Sequence, residues 1–263
     1  MPEILFAINI IKVKDLNLNM SNEIKYGKHI TDSDWGCKHF EVEHDSQAKN
    51  VKLCFIEISN IQKIASALTS QVQDTSWMMK LDKGTKRSYN KTVEETAQKL
   101  VDVFKSANGQ GKIAGEFGES MVSMGSARAL EMLFDHYVLP IAELWKPQEK
   151  QNEGFDFHTV CPKENINFGE AKFVSNGNSH GKAISQSADF IDKEKHYRDW
   201  NHLRNLVSAN AITTFEADDF GVIAAFSINT DDPLTILKNA LKSANKEFPS
   251  RNVKFVYLVG VKH

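Results

Sequence analysis

A chain of 263 residues, 41% hydrophobic and 25% charged, carries enough apolar material for one large core or two small ones. It has no run of eighteen apolar residues, which excludes a membrane-spanning helix, and residues 4–13 are too short and lack the basic leader of a signal peptide. The balance of 32 basic against 34 acidic residues argues against tight, unaided nucleic-acid binding, and three scattered cysteines (Cys37, Cys54, Cys161) fit a reduced, cytoplasmic setting.

In chain order, the β-branched stretch 4–14 predicts a strand, and residues 15–38 read as polar turns. Residues 40–44 and 51–58 alternate and predict two antiparallel strands joined by a polar turn. Ile61, Ile64, Ala65 and Leu68 recur at helical spacing, residues 74–90 read as a basic loop, and Thr92 with Glu95 three positions on suggests a capping box opening a helix to about Ser106. Gly109 to Lys112 is glycine-rich but lacks the spacing of a phosphate loop, and Ile113 stands where Ser or Thr is needed, so it reads as a hinge. From Gly115, the positions Phe117, Met121, Met124, Ala127, Leu130 and Phe134 mark a helix with one buried face. A long helix is expected from about Lys182 to Val207, with Gln186, Phe190, Lys193 and Tyr197 on neighbouring positions. Residues 222–228 and 253–261 are continuous apolar runs, the mark of strands buried on both faces, with a helix from Asp232 to about Lys246 between them. The order predicts an α/β or α+β core with mixed strand pairing.

Residues 154–173 carry the chemistry. Read as two neighbouring strands, Gly154-Phe155-Asp156-Phe157-His158 and Phe168-Gly169-Glu170-Ala171-Lys172-Phe173 place Glu170 and Lys172 on one face and Ala171 on the other. Asp156 points to one side, Phe155 and Phe157 to the other. If the strands pair, two carboxylates and an ammonium converge, and a divalent cation would offset the cost of gathering them. Glu-x-Lys alone says little, since Glu23 and Lys25 repeat it in a polar segment. Glu116 and Glu119 lie in the first turns of their helix, where carboxylates interact well with the macrodipole, yet their spacing also puts both on roughly one side. His158 with Cys161, and Cys37 with His39, are lone pairs without zinc-finger spacing, so zinc is not expected; His158 is placed at the edge of the Asp156 patch.

The succession of a helix bearing Glu, a strand with Asp156, a strand with Glu170-Ala171-Lys172 and a helix with Gln186 resembles the PD-(D/E)xK nuclease superfamily, although Phe155 replaces the usual proline. Gly115-Glu116-Phe117-Gly118-Glu119, with the two segments above, is similar to the HamA family, nuclease subunits of bacterial Hachiman antiphage systems. The resemblance covers residues 95–263 and leaves residues 1–94 as an N-terminal α+β region, partner-binding or regulatory. It implies a restriction-endonuclease-like core with a central mixed sheet and Mg²⁺-dependent (or Mn²⁺-dependent) hydrolysis of DNA phosphodiesters. It also implies a helicase/ATPase partner similar to HamB. Asp156, Glu170 and Glu119 would hold the metal, with Glu116 the other helix candidate. Lys172 would sit beside the attacking water, and Gln186 would contact the phosphate or a water. The competing expectation is a nuclease-like module that binds DNA or a partner without cutting.

Overall fold

The computed structural model describes residues 23–46, 50–107, 115–146, 154–175 and 177–263; the strand expected at 4–14 and the glycine-rich piece at 109–112 lie outside them. Two apolar strands decide the architecture. β7 (Gly221–Ile228) is buried at every position and β8 (Phe255–Lys262) at all but its ends, so both must be covered on two faces. They form the centre of an eight-stranded mixed sheet. The other strands are β1 (Ile24–Asp32), β2 (Cys37–His44), β3 (Val51–Ile58), β4 (Tyr137–Val138), β5 (Phe157–Val160) and β6 (Ile166–Lys172), and the spatial order is β1-β2-β3-β8-β7-β6-β5-β4. The pairs β3/β8, β8/β7 and β7/β6 are parallel, and the outer pairs on both sides are antiparallel.

Helices cover both faces. α3 (Gly115–Phe134) brings Gly125 against Ile56, whereas a Cβ on Gly260 would lie 3.2 Å from Leu237 of α7 (Pro233–Glu247). Gly260 pairs with Phe55, the neighbour of Ile56, and adjacent strand residues point to opposite faces, so α3 and α7 lie on opposite sides of the sheet. α1 (Ile61–Gln73) and α2 (Lys83–Ala107) pack with α3; α4 (Ser179–Asp192) packs on β6, β7 and α7. Side-chain caps set several helix starts: Asn60 accepts from the Lys63 N–H, Asn178 from Gly181 and Asp232 from Thr235, with Pro233 in the first turn.

The structure corrects four expectations. Residues 24–32 form an edge strand rather than turns. The basic loop at 74–90 is instead a short 3₁₀ turn (Ser76–Lys80) followed by α2, whose start is Asp82: its carboxylate accepts the N–H groups of Gly84 and Thr85. Thr92 therefore lies inside a helix and caps nothing. The long helix expected over 182–207 is broken at Glu194, which adopts φ of 54°, giving α4 and then α5 (His196–Leu203), with α6 (Ala209–Glu216) after it. Tyr197 is thus on a different helix from Gln186. Finally, β5 begins at Phe157, so residues 154–156 do not follow strand alternation: Phe155 packs on Phe168 and Phe190, while Phe157 packs over Gly169, on the other face.

The boundary expected at residue 94 falls within α2, and β3 pairs directly with β8. Phe173 is only half-buried, against Gly118 of α3 and the His263 ring. Phe173→Ala is expected to cost less than the ~3–5 kcal/mol of a fully buried phenylalanine, a difference that denaturant unfolding would measure.

Candidate active site

β5 and β6 pair antiparallel with Phe157 opposite Gly169, which sets the residue before β5 beside the end of β6. The Asp156 N–H donates to the Gly169 carbonyl (2.9 Å), and its carboxylate Oδ2 accepts the Ala171 N–H at 2.8 Å. Asp156 is thereby fixed one residue from both Glu170 and Lys172. Along β6, Glu170 and Lys172 share a face as expected, with Lys172 Nζ 2.8 Å from Glu170 Oε1.

The electrostatics of this corner are unusual. Glu170 is 1% exposed; its Oε1 is engaged by the Lys172 ammonium at 2.8 Å, and its Oε2 has no hydrogen-bond partner. Burial and the neighbouring Asp156 push Glu170 up to about 8. Burial likewise raises Asp156 to about 6, against the opposing Ala171 N–H and Lys172. Lys172 is held above its usual value: burial works against its charge, but Glu170, Asp156 and Glu119 outweigh it. An acid that is buried, beside a second carboxylate and shifted this far marks a functional-site candidate.

Of the two helix carboxylates, Glu119 is exposed near the start of α3 and acts electrostatically on both Asp156 and Lys172. Glu116 is also exposed and lies 3.9 Å from Lys99 of α2. Gln186 is half-buried on α4, the helix packed on β6 and β7.

Three further residues belong to this corner. Glu143 sits in a single 3₁₀ turn (Ala142–Leu144); burial and then Asp156 push it up to about 7, Glu119 adds to the shift, and its Oε2 has no hydrogen-bond partner. Lys146 follows one turn later and pairs with Asp199 of α5 at 2.8 Å. Asp199 is buried, yet the His158 hydrogen bond and the Lys146 ammonium hold its carboxyl below the usual range. His158 is therefore a core residue: fully buried, with Nε2 3.0 Å from Asp199 Oδ2 and its ring against Trp145 and Phe168. It meets this corner through its hydrogen bond to Asp199. Because an ionised carboxylate only accepts, His158 must carry its proton on Nε2. The three-residue spacing of Glu143 and Lys146 is the one sequence signal that could have singled them out.

The donor set suits a hard cation. Mg²⁺ keeps several waters and takes one or two carboxylates, and Glu170 beside Asp156 offers such a pair. The oxygens of Asp156, Glu170 and Glu119 do not all approach within 4.8 Å of one another.

A second cluster contradicts the expectation that Cys37 and His39 are lone. With Asp32 they bring three ligand atoms within 4.8 Å, all buried, and could hold a metal ion. His39 Nε2 lies 3.5 Å from both Cys37 Sγ and Asp32 Oδ2. That Asp32 oxygen already accepts Arg128 Nε at 2.9 Å, and burial pushes the Cys37 thiol up to about 12, so the group also serves as an ion-paired link from β1 and β2 to α3. Cys161 contacts Asn165, and all three cysteines are free and buried.

No protein-family model matches the chain, and no curated protein and no solved structure matches it. No helix among the described residues is long and apolar enough to cross a membrane.

Proposed function

We propose that this protein is a divalent-metal-dependent nuclease that hydrolyses DNA phosphodiesters at the corner formed by Asp156, Glu170 and Lys172, working with a helicase partner in antiphage defence. The observation that carries this reading is Glu170: a buried carboxylate flanked by a second carboxylate, with one oxygen 2.8 Å from a lysine and the other without a partner. The resemblance of residues 115–119, 154–158 and 168–173 to HamA supplies the substrate and the partner.

Asp156 and Glu170 would hold the cation, which supplies charge neutralisation at the phosphoryl group and a more acidic water. Asp156 is kept in place by the Ala171 N–H, and Lys172 keeps Glu170 partly compensated until the site is filled. Lys172 then faces the anionic substrate as a protonated donor. Glu119 and Glu143 add negative potential, which favours the cation and disfavours a bare phosphate.

The test is cleavage of supercoiled plasmid by the protein, alone and with its helicase, in Mg²⁺ against EDTA. Metal-dependent nicking supports the reading; DNA or partner binding without cleavage under every condition would favour the non-catalytic module.

The partner gives a separate expectation. Co-expressed with a helicase encoded beside it, the protein should co-elute on size exclusion; two separate peaks would remove the helicase from the account. Deleting residues 1–90 is no test of this, because it removes β3, the sheet partner of β8.

The raised acids predict a pH dependence. Metal-free Glu170 binds its proton more tightly folded than at the ordinary value of 4.5, so its contribution to stability is full below about pH 4.5 and is lost as pH rises through about 8. A cation competes with that proton. Mg²⁺ should therefore raise the melting temperature more near pH 8 than near pH 6, where Asp156 also begins to protonate. Equal shifts at the two pH values, read by thermal unfolding, would deny a metal site built on these carboxylates.

A further inference from the structure

We propose that Asp199 is a positioning residue: with Lys146 it clamps the Phe155 peptide on both sides and so fixes Asp156 on the backbone of β6. The Phe155 N–H donates to Asp199 Oδ2 at 3.2 Å, and the Phe155 carbonyl accepts from Lys146 Nζ. The same lysine closes the ring through Asp199 Oδ1 at 2.8 Å. One ion pair therefore engages both polar groups of the residue before Asp156. His158 holds Asp199 in turn, using the remaining approach to Oδ2 at 3.0 Å.

The chain is shaped to admit this clamp. A Cβ on Gly154 would collide with the Asp199 carboxylate and lie 2.6 Å from Lys146 Nζ, so any larger residue at 154 displaces the pair. Beyond the clamp, the Asp156 N–H reaches the Gly169 carbonyl and its own carbonyl accepts the Ala142 N–H at 3.2 Å. Residues 154–156 lie outside regular strand pairing, so β-ladder bonds alone do not set the direction of the Asp156 side chain. The clamp does, and the Ala171 N–H receives the carboxylate where the clamp has aimed it. This is how outer partners orient metal-binding side chains in general.

The proposal rests on the metal reading of Asp156, but its geometric part can be read without metal. The variants are Asp199→Asn, Lys146→Met and Gly154→Ala, with Leu241→Ala in α7, fully buried and not a member of the clamp, as a control for lost stability. Two quantities are measured beside the melting temperature: the Ala171 amide resonance in ¹H–¹⁵N spectra, and the affinity for Mn²⁺. The clamp variants should move the Ala171 resonance and weaken Mn²⁺ binding by about 10–100-fold. Leu241→Ala should lower the melting temperature while leaving both unchanged. If the clamp variants melt lower but keep the wild-type Ala171 resonance and Mn²⁺ affinity, Asp199 is merely structural and the proposal is overturned. If wild-type protein binds no Mn²⁺, the metal reading fails, and the Ala171 resonance alone decides whether the clamp positions Asp156. Should Asp199→Asn not fold, Gly154→Ala, which leaves every charge in place, decides the proposal by the same two quantities.

Discussion

Glu170→Ala combined with Lys172→Ala is expected to abolish DNA cleavage and phage protection while the protein remains folded. Both side chains lie on one face of β6, and neither makes a hydrogen bond that another element needs. Loss of several kcal/mol of transition-state stabilisation, taken as ~4, corresponds to roughly a thousandfold in rate. Removing the buried pair together leaves no uncompensated charge behind, so the melting temperature of the metal-free double variant should stay near that of the wild type. Asp156→Asn should keep the Ala171 hydrogen bond through its amide oxygen and still lose cleavage, since a neutral amide is a poorer ligand for a hard cation. Wild-type cleavage by the double variant would place the site elsewhere. Unfolding would make Glu170 and Lys172 structural.

Phe168→Ala should do the opposite, lowering stability first. Phe168 is fully buried two residues before Glu170, and its ring lies between 5.3 and 5.8 Å from those of Phe155, His158, His196, Phe215 and Phe220. The neighbours come from β5 and the residues just before it, α5, α6 and the turn before β7, so the cavity cannot close by shifting one element. A loss of ~3–5 kcal/mol follows, which in a chain of this size lowers the melting temperature by roughly 10 °C. Cleavage measured well below that temperature should fall far less than in the double variant. A change under about 1 kcal/mol in denaturant unfolding would show that this aromatic cluster is not the support beneath the site.

What could be read from the sequence follows its periodicity. Residues 221–228 and 255–262 are apolar because they sit between two layers, and 51–58 is buried over its apolar centre, so these strands were legible; α3 was legible as a helix, but it is buried at every position from Ser120 to Ala127 rather than along one face. β1 was not: it is an edge strand, mostly exposed, with an irregular register between Tyr26 and His29 that disrupts alternation. The first turns of α2 are nearly all polar, with Tyr89 and Val93 the first residues buried, so the helix hides in what looks like a basic loop. The break at Glu194 carries neither glycine nor proline, and only the backbone shows it.

The site divides in the same way. Asp156, Glu170 and Lys172 are close because one hairpin brings them together, which local spacing can suggest. Glu143 and Lys146 lie three residues apart in and after a 3₁₀ turn, but nothing local links them to Asp199 on a short helix. Their association with Asp156 is a product of the tertiary fold. The Asp32, Cys37 and His39 group shows the same limit, since Asp32 lies across a turn from the pair that spacing alone left isolated.

The most direct measurement is Mn²⁺ binding followed by electron paramagnetic resonance near pH 8 on wild-type protein, Asp156→Asn and Glu170→Gln. A cation held between these two carboxylates gives saturable binding in the wild type that either substitution removes. Binding that is unchanged in both variants, or absent from the wild type, would contradict a metal centre at Asp156 and Glu170.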